Sequence, residues 1–247
     1  MVTLGFSDFN TTYVETNKFF LSKPQYFNHY DSTRGLVEDL IIEIGSINYS
    51  DIDLGELGYT RKKWSDLLRT YLDADAWEDF RKKIGKSSGN SIAFDFKRKT
   101  TGNGACLREI ILTRPKRGKP FNSAKIIWRA TELQKRWGAD LILIGKMLED
   151  LENCNFESVT FYIGSAYQSA MFIVPFLWDI FGVRSNGFSK ESKHEHHRAI
   201  RKYIDKYYQP DSKPEKLAVL ARLQAFHQKK LGGYKPKKID NDTLKLR

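Results

Sequence analysis

The stretch KIIWRATELQKRWGADLILIGKMLED, residues 125–150, decides how the chain is read. Its opening, Lys125-Ile126-Ile127-Trp128, is short, β-branched and aromatic, the composition of a buried strand. Behind it Leu133, Trp137, Leu141, Ile144, Leu148 and Leu151 recur at close to the helical period, which predicts a helix over 132–151. Ile142, Leu143 and Met147 widen the apolar stripe, so burial is expected on most sides of that helix. Arg129 at the strand end, Glu132 at the helix start and Asp140 beside the stripe are polar where burial is costly. A charge next to a core needs a partner or a ligand. An Arg129–Glu132 pair with Asp140 at the helix edge meets that need without any function and is the favoured reading of this stretch taken alone; a bound ligand is the alternative.

With 40% hydrophobic residues, 247 residues suffice for one large core, and the reading is a single domain over 1–230 followed by a basic, mobile tail over 231–247. The formal charge of +11 favours polyanions or phosphorylated small molecules as partners, nucleic acid through the basic surface among them. Two cysteines, Cys106 and Cys154, make no disulfide framework. No apolar run approaches the roughly 20 residues needed to span a bilayer, so no membrane partner is expected. MVTLGFSDFN lacks the basic-then-apolar pattern of a secretory signal, and a cytoplasmic protein is the expectation.

Along the chain, the aromatic-rich residues 1–30 have no clear period. Leu36, Leu40 and Ile44 share a helical spacing, which predicts a helix ended by Gly45. Further helices are expected near 60–71 and 75–84. SIAFDFK (91–97), ACLREIIL (105–112) and 125–129 then follow as three strands of an antiparallel meander. A fourth strand is expected over 159–163, ending in Gly164-Ser165-Ala166. Helices are expected over 167–181, interrupted by Pro175, then over 193–208 and 214–230.

Cys106 follows the glycine-flanked loop Thr100–Gly104 at the start of a strand, where a substrate can reach it, and Arg108 lies two residues on along the same face. A buried structural thiol is the competing reading. His194, His196 and His197 have no partner at metal-ligand spacing, so no metal site is read from them. Phosphate-loop, dinucleotide and hydrolase-elbow motifs are absent.

The order of these pieces resembles the thymidylate synthase family, closest in logic to its cytosine-nucleotide hydroxymethylases. The resemblance is carried by SIAFDFK, Cys106, the PKRGKP hairpin, Trp128-Arg129-Ala130, Glu132, Asp140, Gly164-Ser165-Ala166-Tyr167-Gln168-Ser169, and Arg34-Gly35-Leu36-Val37-Glu38-Asp39-Leu40. It implies an α+β fold, a mixed and mainly antiparallel sheet packed with helices around one long buried helix. It also implies C5 hydroxymethylation or methylation of a cytosine nucleotide through a covalent Cys106 adduct. Asp39 or Glu38 would order water and move protons, and Arg129 would hold the phosphate. Asp140 would read cytosine where the family's uracil enzymes have Asn. Ser165, Tyr167 and Arg108 are further substrate-binding candidates. Glu132 and Trp137 would lie beside a 5,10-methylenetetrahydrofolate cofactor, and a homodimer is implied. Ala130, Arg136, Tyr167 and Ser169 differ from the family's residues at those places. Those departures keep open a non-catalytic nucleotide or nucleic-acid binding protein, or an enzyme acting on pyrimidines within DNA.

Overall fold

The computed structural model describes residues 1–21, 34–55, 59–96, 106–133, 136–169, 241 and 244–246. Ten elements run in the order β1 (Val2–Asp8), α1 (Phe9–Leu21), β2 (Arg34–Ser46), α2 (Arg61–Tyr71), α3 (Ala74–Lys86), β3 (Ser91–Asp95), β4 (Leu107–Thr113), β5 (Phe121–Glu132), α4 (Trp137–Glu149) and β6 (Cys154–Ser169). The strands form one sheet in the order β1-β2-β6-β5-β4-β3. β3, β4 and β5 pair antiparallel, as the meander reading expects, and β2 pairs antiparallel with β6. β1–β2 and β5–β6 are parallel, with α1 and α4 as their respective crossovers. The fold is therefore α+β with a mixed, mainly antiparallel sheet.

One sheet face carries the core. Leu40, Ile42, Ile126, Trp128, Phe161 and Ile163 are buried there. Trp137 of α4 and Phe9 of α1 both pack edge-on against Phe161, at ring-centroid distances of 5.1 and 5.8 Å. α4 is buried on nearly every side, as its wide apolar stripe predicts. The opposite face carries Ile41, Ile127 and Tyr162, all half-buried.

Several sequence expectations need correction. Residues 36–44 form a strand, β2, and not a helix. A spacing of four fits both periods, so Leu40 and Ile44 could not decide between them. Ile42 decides, because it is fully buried on the same face as Leu40 and Ile44, as only a two-residue period allows. The helix expected from 132 starts at Trp137, because the β5–β6 ladder continues through Thr131 and Glu132, which lie opposite Ala166 and Tyr167. Glu132 thus closes a strand and does not open the helix. β6 likewise runs on through Ser169, where a helix from Tyr167 was expected. The rest of that helix and those expected over 193–208 and 214–230 lie outside the described residues. α2 and α3 form where expected and are capped by Thr60 and Asp73, which accept from the backbone N–H of Lys63 and Ala76. Part of the tail read as mobile is packed on the domain. Leu244 is buried, the Asn241 amide donates to the carbonyls of Tyr49 and Ile52, and the Trp64 indole donates to the Lys245 carbonyl.

Alternation breaks at one level across β5, β6 and β2, and in β4 on the other side of the Leu107–Trp128 pair. The buried residues step by three, from Leu107 to Ile110, Trp128 to Thr131, Ile163 to Ala166 and Val37 to Leu40. In β4 the step carries a register shift between Leu107 and Glu109, the mark of a bulge. In β2 Asp39 adopts a left-handed conformation, φ 53°, which Asp tolerates better than most residues. In β6 Gly164 lies so near β5 that a Cβ there would come within 3.0 Å of the Arg129 carbonyl oxygen.

Among the described residues no helix is long and apolar enough to cross a membrane.

The seating of α4 can be tested at Gly145, where a Cβ would come within 2.5 Å of the Tyr49 ring. That ring is buried and its hydroxyl donates to Glu149. Gly145→Ala gains about 1 kcal/mol of helix propensity but overpacks a site of this kind by about 1–3 kcal/mol. We expect a net loss of stability, read as a lower urea midpoint with unchanged slope; an equal or higher midpoint would contradict the packing.

Candidate functional site

Cys106 immediately precedes β4, and its carbonyl accepts the Arg129 backbone N–H at 2.7 Å. This pairing carries the Arg129 side chain beside the thiol, where Nη2 donates to Sγ at 3.8 Å. Cys106 is half-buried, so neither extreme of the two readings applies to it. The partner is Arg129, 23 residues away, and not the expected Arg108 two residues on. Arg108 instead lines a cavity of about 840 Å³ with Asp39, Ile41, Ile127, Arg129 and Tyr162. These residues belong to the sheet face away from α4.

Asp140 lies in the first turn of α4 and is fully buried. Thr131 Oγ1 donates to its Oδ2 at 2.8 Å. Its Oδ1 is buried and has no hydrogen-bond partner among the described residues. Burial pushes the Asp140 carboxyl up to about 7, opposed by the Thr131 hydrogen bond and the Arg136 charge. The group is therefore part protonated at neutral pH.

Two tyrosines that sequence reasoning did not assign to the site join it. Tyr71, the last residue of α2, packs edge-on to Trp128 at 6.0 Å and accepts from Arg136 Nη1 at 3.5 Å. Burial raises its phenol well above the usual range, and Asp140 and Cys106 raise it further. Arginine only donates, so the Tyr71 hydroxyl keeps its own proton for another acceptor. Tyr59, just before α2, is raised by burial and then by Asp140, while Arg136 lowers it. The carboxyl and the thiol, distant in sequence, thus both act electrostatically on one phenol. Tyr71 was legible only as an inward helix residue, and Thr131 carried no signal of its own.

The other expected site residues are dispersed. Glu132 is buried at the end of β5 and interacts electrostatically with Tyr59. Trp137 is a core residue against Phe161. Glu38 is exposed and lies opposite Ser165, and Asp39 faces the cavity. Both lie in a strand, so the helix on which their catalytic correspondence was drawn is absent. The Tyr167 carbonyl accepts the Leu133 N–H at 2.9 Å, a hydrogen bond that any residue makes. Among the described residues no group of His, Cys, Asp or Glu is placed to hold a metal ion, and the three histidines at 194–197 lie outside them.

Neither the protein-family models nor the curated proteins contain a match to this chain.

The buried carboxyl predicts its own pH dependence. Asp140 binds its proton more tightly folded than unfolded, so between its ordinary value of 3.8 and about 7 the folded state holds more protons. Stability therefore falls as pH rises through that window and levels off above it. Asp140→Asn removes the titration, so its urea midpoint relative to wild type should climb from pH 5 to pH 8. A pH-independent difference would show that Asp140 ionises normally.

Proposed function

We propose that this protein is a one-carbon transferase that activates C5 of a cytosine nucleotide through a covalent Cys106 adduct, with C5 hydroxymethylation or methylation as the outcome. The observation that carries the reading is that a half-buried thiol beside Arg129 and a buried, part-neutral carboxyl both act electrostatically on one phenol, Tyr71. A flat heterocycle needs a nucleophile at one edge and a hydrogen-bonding group at the other. A neutral Asp140 donates to the ring nitrogen N3 of cytosine and accepts from its exocyclic amine. A neutral carboxyl can also accept from the N–H of uracil and donate to its C=O, so the choice of cytosine over uracil stays with the resemblance.

In the step assigned to the chain's own residues, the Cys106 thiolate forms a bond to C6 and the C5=C6 electron pair makes C5 nucleophilic. When C5 takes up a solvent proton, reversal returns a C5 proton to a base, restores the double bond and expels the thiolate. This exchange needs no second substrate. The planar guanidinium fork of Arg129 suits a phosphate. Arg108, Ser165 and Tyr167 remain substrate-binding proposals, as do Asp39 and Glu38 for proton transfer. 5,10-Methylenetetrahydrofolate as donor and a homodimer stay with the resemblance.

The test is loss of tritium from [5-³H]dCMP into water without any donor. Wild type should release label and Cys106→Ala should fall to background; equal release would remove the thiol from the mechanism. Arg129→Ala should weaken dCMP binding about 10- to 100-fold, the equivalent of one charge-assisted hydrogen bond.

A second reading, binding to a nucleic-acid polymer, is favoured by one cluster. Arg114 donates to the carbonyls of Ser87, Gly89 and Lys119 and so ties the turn after α3 to the β4–β5 hairpin. This gathers the exposed Lys83, Lys86, Lys116, Arg117 and Lys119. Replacing Lys116, Arg117 and Lys119 with Ala should flatten the log affinity against log salt slope for single strands by about 0.7 for each phosphate that is no longer neutralised. An unchanged slope would remove the hairpin from any such interface.

A further inference from the structure

We infer that Thr131 is a positioning residue that fixes which oxygen of Asp140 faces the ligand and whether that oxygen donates or accepts. The inference rests on the reading of Asp140 as the group that meets the base. A carboxyl's final torsion is soft, so its two oxygens are interchangeable unless something tells them apart. Here Oδ2 accepts from Thr131 Oγ1 at 2.8 Å, while Oδ1 is buried without a partner among the described residues. Thr131 is itself well held. It lies opposite Ala166 in the β5–β6 ladder, is nearly fully buried, and has a β-branched side chain with few rotamers.

A hydroxyl has one proton to give, and Thr131 gives it to Oδ2. When Asp140 takes up a proton, that proton goes to Oδ1, because Oδ2 is already an acceptor. Oδ1 therefore switches from acceptor to donor in place, without rotation of the carboxyl. The groups that interact electrostatically with Asp140 are Arg136 before α4, Tyr59 ahead of α2 and Tyr71 at its end; Glu132 on β5 acts in turn on Tyr59, and Cys106 on Tyr71. Removing the Thr131 hydrogen bond takes away an interaction that favours the ionised form.

Two measurements separate this role from a purely structural one. The first, made without ligand, is the titration of the Asp140 carboxyl, read by ¹³C NMR of aspartate-labelled protein and assigned with Asp140→Asn. Thr131→Val should move it upward by roughly one pH unit, the worth of one hydrogen bond, while Thr131→Ser should leave it in place. The second is dCMP affinity against pH, whose alkaline limit should move upward by the same amount in Thr131→Val and be restored in Thr131→Ser. An unmoved titration in Thr131→Val overturns the inference, as does an equal shift in Thr131→Ser. If the titration moves as expected but wild type takes no dCMP at any pH, the positioning role stands and the cytosine reading falls. Should Thr131→Val not fold, Thr131→Ala carries the same expectation and the same contrary result.

Discussion

A β-strand turns alternate residues to opposite faces, so a strand that buries residues three apart has changed which of its residues look inward. β2, β6 and β5 make that change together, and their pairing survives it. Trp128 lies opposite Ile163 before the step and Thr131 opposite Ala166 after it. Unbroken alternation from Trp128 would turn Ala130 and Glu132 toward the core and Thr131 away from α4. The hydrogen bond from Thr131 to Asp140 exists because of this shared step. Its local demands are visible in the left-handed Asp39 and in Gly164, where a side chain would press on the Arg129 carbonyl. Arg129 occupies the same level, which is how one residue reaches both the Cys106 sulfur and the cavity on the far face.

A carboxyl buried as deeply as Asp140 is expensive when charged, and one hydroxyl partner does not compensate for lost water. An apolar residue would serve the core of α4 better, as Leu141, Ile142 and Leu143 do on the next three positions. A group that burial brings near neutrality, beside a phenol that a thiol also influences, is more readily explained by use than by stability. The surrounding residues follow the same pattern. Tyr59 and Tyr71 keep their protons, and Arg136 supplies positive charge without forming an ion pair that would hold Asp140 fully ionised.

The sequence revealed the parts whose periods are unambiguous. SIAFDFK alternates, the stripe from Trp137 to Leu148 is helical, and α2 and α3 announce themselves through Thr60, Asp73 and their inward aromatics. It misled where two periods coincide, as over 36–44, and where a long-range ladder overrode local pattern, as at Glu132 and Tyr167. Cys106, Arg129 and Asp140 could be picked out because each is unusual for its surroundings. Thr131 and Tyr71 could not, since a threonine in a strand and a tyrosine in an amphipathic helix are ordinary. Their importance comes from a step in the sheet that no local pattern encodes.

The two functional readings make different demands on these residues. A module that merely binds phosphates needs the cations gathered around Arg114 but has no use for a near-neutral carboxyl under a sheet or for an arginine beside a thiol. A transferase for free nucleotides needs the carboxyl and the thiol but not the cations on the hairpin. An enzyme acting on a base within a strand uses both sets, provided the base leaves its stack to enter the site. The hairpin that carries Lys116, Arg117 and Lys119 joins β4 to β5, the strands that present Cys106 and Arg129 at their other ends. A polymer held by that hairpin would have to run the length of both strands to bring a base to the thiol. That distance makes the cation cluster an independent feature, and the chemistry is best judged on Cys106, Tyr71 and Asp140 alone.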